Sequence, residues 1–87
     1  MASYKIYIKP SAKKELESLP KNDLTKIVEK IKNLSSDPRP HGAEKLSDED
    51  KYRVRQGNYR IVYSIEDDKL IVIVVKIGHR RDVYRKK

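Results

Sequence analysis

The sequence predicts a small α/β (α+β) domain. Its expected form is an antiparallel sheet of about four strands with two N-terminal helices packed on one face, in the order β-α-α-β-β-β. Three observations lead there. The chain opens on strict alternation in "SYKIYIKP", apolar residues then recur at helical spacing as far as Leu34, and the stretch from Lys51 to Ile77 holds three β-branched runs separated by short turn signals.

Taking the elements in order, Tyr4, Ile6 and Ile8 share one face of the first strand, Lys5, Tyr7 and Lys9 share the other, and Pro10 ends it. Ser11 is placed to cap a helix carrying Ala12, Leu16 and Leu19 before Pro20. Leu24, Ile27, Val28, Ile31 and Leu34 repeat the i, i+3, i+4, i+7 pattern of a longer second helix. "SSDPRPHGAEKL", Ser35 to Leu46, is dense in breakers and reads as a loop, with His41 a loop residue, and "SDED" comes next as a solvated acidic turn. Gly57-Asn58 and Asp67-Asp68 then separate the strands of a three-strand meander. "KLIVIVVKI" is apolar on both faces and belongs inside the sheet, with the N-terminal strand alongside it.

Eighty-seven residues with 37% hydrophobic content suit a single domain, residues 1–87, with one modest core. The absence of cysteine excludes a disulfide framework, thiol chemistry and cysteine zinc ligands. The N-terminus lacks the apolar core of a signal peptide, and the run Leu70 to Val75 is too short to span a bilayer, so the expectation is a cytoplasmic protein without a membrane partner. A net charge of +8 directs the search for partners towards polyanions, nucleic acid first.

The charge is unevenly typed. Lysines are spread over the chain, whereas six of the seven arginines lie at position 53 or later. With Gly57-Asn58 as the central turn residues, Arg55 faces Arg60, Val54 faces Ile61 and Tyr52 faces Tyr63. One hairpin face then collects Tyr52, Val54, Tyr59, Ile61 and Tyr63 as core, and the other collects Arg53, Arg55 and Arg60, looking outward. Like charges directly opposite destabilise a sheet by about 0.2–1 kcal/mol, so folding does not ask for this arrangement. A tight turn at Asp67-Asp68 would place Val75 opposite Arg60 and carry the same parity through Ile77 to His79 in "GHRR". Converging guanidinium groups suit a phosphodiester, through their fork of donors and through the charge they offset during cleavage. A charge-rich exposed face also arises as plain solvated surface, and residue types alone leave both readings open, as they do binding against catalysis.

The segments "YKIYIKPSAKKELESLP", "IVEKIKNL", "DPRPHGAEKL", "YRVRQGNYRIVY" and "KIGHRRDVYR" resemble the RelE toxins of the RelE/ParE toxin–antitoxin superfamily over nearly the whole chain, the last two being the specific parts. The resemblance implies a ribosome-dependent endoribonuclease that cuts messenger RNA in the A site by attack of a ribose 2′-hydroxyl on the adjacent phosphate, without a cofactor or metal ion. It implies a cognate antitoxin as partner, with the complex of the two contacting operator DNA.

Position by position, Arg53 and Arg55 match a basic pair that activates the scissile nucleotide, and Arg60 and Arg80 match arginines on the phosphate and leaving oxygen. Tyr84 matches an aromatic that orients the substrate base, against an alternative in which it packs on the sheet end. The best-known RelE pattern has lysines where Arg53 and Arg55 stand. Since arginine is a poor general base, His79 is the alternative proton acceptor. Two other readings share the fold: a ParE-like inhibitor of DNA gyrase, and a basic domain that binds RNA without cutting it.

Overall fold

The computed structural model describes residues 3–46 and 51–79. In chain order it contains β1 (Lys5–Ile8), α1 (Pro10–Glu17), α2 (Lys21–Ser36), β2 (Glu44–Lys45), β3 (Lys51–Gln56), β4 (Tyr59–Glu66) and β5 (Ile71–His79). The strands form a single sheet in the order β1-β5-β4-β3-β2. No helix among the described residues is long and apolar enough to cross a membrane.

Both helices start from prolines. α1 begins at Pro10, whose fixed φ suits a first helical turn and whose missing N–H costs nothing there. Its N-cap is therefore Lys9, without a side-chain cap, and the cap expected at Ser11 falls inside the helix. Ala12 and Leu16 of α1 and Ile27, Ile31 and Leu34 of α2 are buried on the sheet-facing side. They meet Val54, Ile61, Tyr63, Ile65, Val72, Val74 and Ile77 from β3, β4 and β5. Burial of each large aliphatic side chain contributes about 1.5–3 kcal/mol, so this one layer supplies most of the drive to fold.

The class expected from sequence is the one observed, with two differences of detail. A fifth strand, β2, pairs antiparallel with β3 through Glu44↔Arg53 and Lys45↔Tyr52. The sheet is mixed, because β1 runs parallel to β5.

The third departure concerns β5. Asp67–Lys69 form a turn of 3₁₀ helix closed by Leu70 at φ 56, instead of a two-residue hairpin turn at Asp67-Asp68. β4 and β5 then pair as Glu66↔Ile71 through Tyr63↔Val74, slip at a bulge, and resume as Val62↔Lys76, Ile61↔Ile77, Arg60↔Gly78 and Tyr59↔His79. Arg60 thus faces Gly78, not Val75. Unbroken alternation from Val72 and Val74 would drive Lys76 into the core, at a large desolvation penalty. Val75, the extra residue of the bulge, keeps Lys76 out and turns Ile77 in, where it is buried.

β1 stops at Ile8, beyond which the second half of β5 has no neighbouring strand on that side among the described residues. Glu15 of α1 takes its place, one carboxylate oxygen accepting from the backbone N–H of Ile77 at 2.9 Å and the other from Lys76 Nζ at 2.8 Å. On the other side of the molecule, the Pro-rich loop is held by two side chains. Tyr63 is fully buried and donates its hydroxyl to the carbonyl of Pro38 at 2.7 Å, burial pushing the phenol up to about 12. Arg39 forks onto Asp67 at 2.8 and 3.2 Å, donates to the Tyr52 hydroxyl at 3.0 Å and lies over the Tyr52 ring. These contacts fix the loop that delivers β2 to the sheet edge.

Tyr63→Phe keeps the ring and removes only the buried donor, leaving the Pro38 carbonyl to find another partner. Urea unfolding is expected to show a loss of about 1–2 kcal/mol. A stability unchanged from wild type would show that this hydrogen bond does not tie the loop to the sheet.

Candidate nucleic-acid interface

The hairpin pairs in the register read from sequence: Tyr52↔Tyr63, Arg53↔Val62, Val54↔Ile61, Arg55↔Arg60 and Gln56↔Tyr59. Gly57 adopts φ 61 at the first central position of the turn, a backbone conformation that a side chain would strain. Tyr52, Tyr59 and the buried Tyr63 lie with the core, Tyr52 stacked on Tyr63 at 6.0 Å between ring centroids. By alternation, Arg53, Arg55 and Arg60 lie on the opposite face, where no helix packs among the described residues.

These arginines do not all look outward. Arg55 is exposed, but Arg60 is only 4% exposed, the buried charged residue among those described. Burying a guanidinium carries a desolvation penalty, and placing it directly across from another arginine adds repulsion. Glycine at position 78, opposite Arg60 on β5, presents no side chain on that row.

A carboxylate completes the cluster. Glu44 of β2 pairs across from Arg53 and accepts a hydrogen bond from its Nη2. That bond, then the fields of Arg53, Arg55 and Arg60, hold the Glu44 carboxyl below the usual range against a smaller opposing desolvation. Sequence reasoning did not select Glu44, because it lies in a stretch read as loop and only the β2–β3 pairing brings it to the arginines. The usable signal was the charge pair itself, an acidic residue before the turn and an arginine after it.

His79 reaches the expected end of the sheet but not the expected side. The bulge at Val75 inverts the parity of the residues beyond it, so His79 pairs with Tyr59 and their rings meet edge to face at 5.7 Å. Tyr59 is steadied in turn by α2, its hydroxyl donating to Asp23 at 3.1 Å. Burial first, and then Asp23, raise the Tyr59 phenol above its ordinary value. His79 is exposed and sits at the rim of the sheet, beside the arginine row instead of on it. Arg80 and Tyr84 lie outside the described residues, as does the acidic segment 47–50.

A small mixed sheet backed by an αα layer matches the fold of solved RelE toxins. The family model described as the ParE toxin of type II toxin–antitoxin systems, parDE, matches residues 6–84. The putative toxin RelE1 of Methanocaldococcus jannaschii is 36% identical over 76 residues, spanning 83% of this chain and 84% of that protein. The toxin RelG of Mycobacterium tuberculosis is 29% identical over 85 residues, spanning 95% and 98%. Among solved structures, the toxin–antitoxin complex RelBE2 from Mycobacterium tuberculosis superposes with a TM-score of 0.82 at 29% identity, covering 92% of this chain and 94% of the matched one. The chain belongs to this family and is a RelE-type toxin of the RelE/ParE superfamily.

Glu44→Gln removes the carboxylate that Arg53 holds and with it one negative charge facing phosphate at the arginine row. Anisotropy titration of a labelled single-stranded RNA is expected to show tighter binding, with a log–log salt slope steeper by about 0.7. The ion pair contributes at neutral pH and is lost only as pH falls through the depressed folded value of Glu44, so the variant and wild type should converge in strong acid. Identical affinity and slope at neutral pH would mean that Arg53 does not exchange carboxylate for phosphate.

Proposed function

We propose that this toxin is a ribosome-dependent endoribonuclease that cuts messenger RNA in the A site. The reading rests on one observation: Arg55 and the buried Arg60 stand directly opposite one another beside Arg53, against the interest of the fold. Opposed guanidinium groups repel one another, and a phosphodiester bound between them would offset that repulsion. The relatives' RelE names and the neighbours' description as toxin–antitoxin complexes support the same reading.

In the proposed reaction the ribose 2′-oxygen attacks the adjacent phosphorus as its proton leaves to a base. The bond from phosphorus to the 5′-oxygen breaks, giving a 2′,3′-cyclic phosphate and a 5′-hydroxyl once the departing oxygen takes up a proton. Arg53, Arg55 and Arg60 bind the phosphate and offset the charge that grows on its oxygens, and Arg80 acts with them on the leaving oxygen. Tyr84 orients the base. His79 is within the same end of the sheet, and its rim position beside Tyr59 suits proton exchange with solvent better than direct contact with the nucleophile. The ribosome supplies the orientation of the message, which is why so sparse a constellation can suffice.

The toxin's partner is a cognate antitoxin that masks the arginine face, and the site of action is cytoplasmic. The ParE name of the matched family carries a second reading, inhibition of DNA gyrase without RNA cleavage. Mapping 5′ ends of messenger RNA after brief induction separates the two. Cuts within codons on translating messages are expected, whereas intact messages together with trapped gyrase–DNA complexes would establish the second reading.

Arg60→Ala should lower single-turnover cleavage of A-site message by at least about a hundredfold, as loss of one donor to a developing oxyanion does elsewhere. Cleavage by this variant at the wild-type rate would remove Arg60 from the chemistry.

A further inference from the structure

Tyr7 is 54% exposed on β1, although tyrosine buries well and its neighbours in the strand, Ile6 and Ile8, pack against the core. Alternation therefore sends Tyr7 to the sheet face that the helices leave uncovered, the face that carries the arginines. Lys5 and Lys9 flank it there, both exposed, the backbone remaining extended through Lys9. Tyr7 lies level with Ile73 of β5, Ile73 with Ser64 of β4, and Ser64 with Lys51 of β3, one row of the sheet. Arg53 begins the next row on β3. From Tyr7 to β3 is three strand spacings, about 14 Å. A dinucleotide gripped at the arginines cannot cover that span, and a longer single strand can.

We propose that Tyr7, between Lys5 and Lys9, is a second contact for single-stranded RNA, stacking a base of the same strand whose phosphate the arginines hold. The inference rests on the ribonuclease reading and adds to it a subsite away from the reacting atoms. An exposed aromatic ring on a sheet offers a base a flat partner whatever its identity, and the two ammonium groups meet the phosphates on either side. Charge favours this occupant: Tyr7 stands between two exposed ammonium groups, and across the uncharged Ile73 and Ser64 the same face carries Lys51, Arg53 and Arg55, with Glu44 and Glu66 the carboxylates that share it. Held at both ends, the strand would be drawn across the sheet, so that Tyr7 positions nucleotides flanking the cut without touching the scissile phosphate.

The test compares binding of a hexanucleotide and a dinucleotide RNA, both with 2′-O-methyl sugars that cannot be attacked, to wild type, Tyr7→Ala, Tyr7→Phe and Arg55→Ala by NMR titration. Tyr7→Ala is expected to weaken the hexanucleotide by about tenfold and leave the dinucleotide unchanged, Tyr7→Phe to bind both as wild type does, and the Tyr7 ring protons to shift upfield only with the hexanucleotide. Unchanged hexanucleotide affinity in Tyr7→Ala, with both ligands weakened in Arg55→Ala, would overturn the Tyr7 subsite and leave the arginine site standing. Wild-type affinity for both RNAs in Arg55→Ala, or no binding by wild type at millimolar ligand, would overturn the arginine site and this inference together.

Discussion

The register of one hairpin governs this molecule. A glycine at φ 61 sets a tight turn, the turn sets Arg55 against Arg60, and alternation along the two strands sends the tyrosines and aliphatic residues one way and the arginines the other. A slip of one residue would bury Arg55 and expose Val54. The apolar face therefore enforces the register, with Val54, Ile61 and Tyr63 locked against the helices, and the arginines must accept the positions this leaves them. Packing energy of several kcal/mol on one face outweighs a repulsion of at most about 1 kcal/mol on the other. The site is thus held in place by a core it does not belong to.

The flanking elements extend this arrangement on both sides. β2, only two residues long, exists where the clamped Pro-rich loop returns to the sheet, and it sets Glu44 opposite Arg53. The carboxylate relieves part of the repulsion among the arginines, and under the proposed function a phosphate takes its place. On the other edge, Glu15 of α1 occupies the position a longer β1 would fill and secures Ile77 just past the bulge. That anchor keeps Gly78 level with Arg60 and brings His79 against Tyr59. Helix α1 thereby helps to hold β5 in register through its last described residues.

Much of this was legible in the chain. Strict alternation, the helical spacing from Leu24 to Leu34 and the Gly57-Asn58 turn are local signals, and each was sufficient for the element it marks. The β3–β4 register came from them without any long-range information. What escaped were features decided by tertiary context. Glu44–Lys45 is too short to carry a period of its own, so β2 and the parallel sense of β1 went unread. In "LIVIVVKI" both faces are apolar, and the bulge leaves no trace except that Lys76 shares the parity of Val72 and Val74, a conflict that only burial makes costly. Glu44 was hidden with its strand. Tyr7 was correctly assigned to the face opposite Ile6 and Ile8, but its exposure gained meaning only once the helices were seen to cover the other side.

The central claim is that the Arg55–Arg60 opposition serves phosphate chemistry at the expense of the fold, and Arg55→Thr tests it most directly because Arg55 is exposed and threonine suits a strand. Urea unfolding and single-turnover cleavage on programmed ribosomes should be measured on the same preparation. Stability equal to or above wild type is expected, together with cleavage slower by at least about tenfold. A variant that unfolds more readily yet cleaves at the wild-type rate would contradict it, and would make the arginine pair a structural feature of the hairpin.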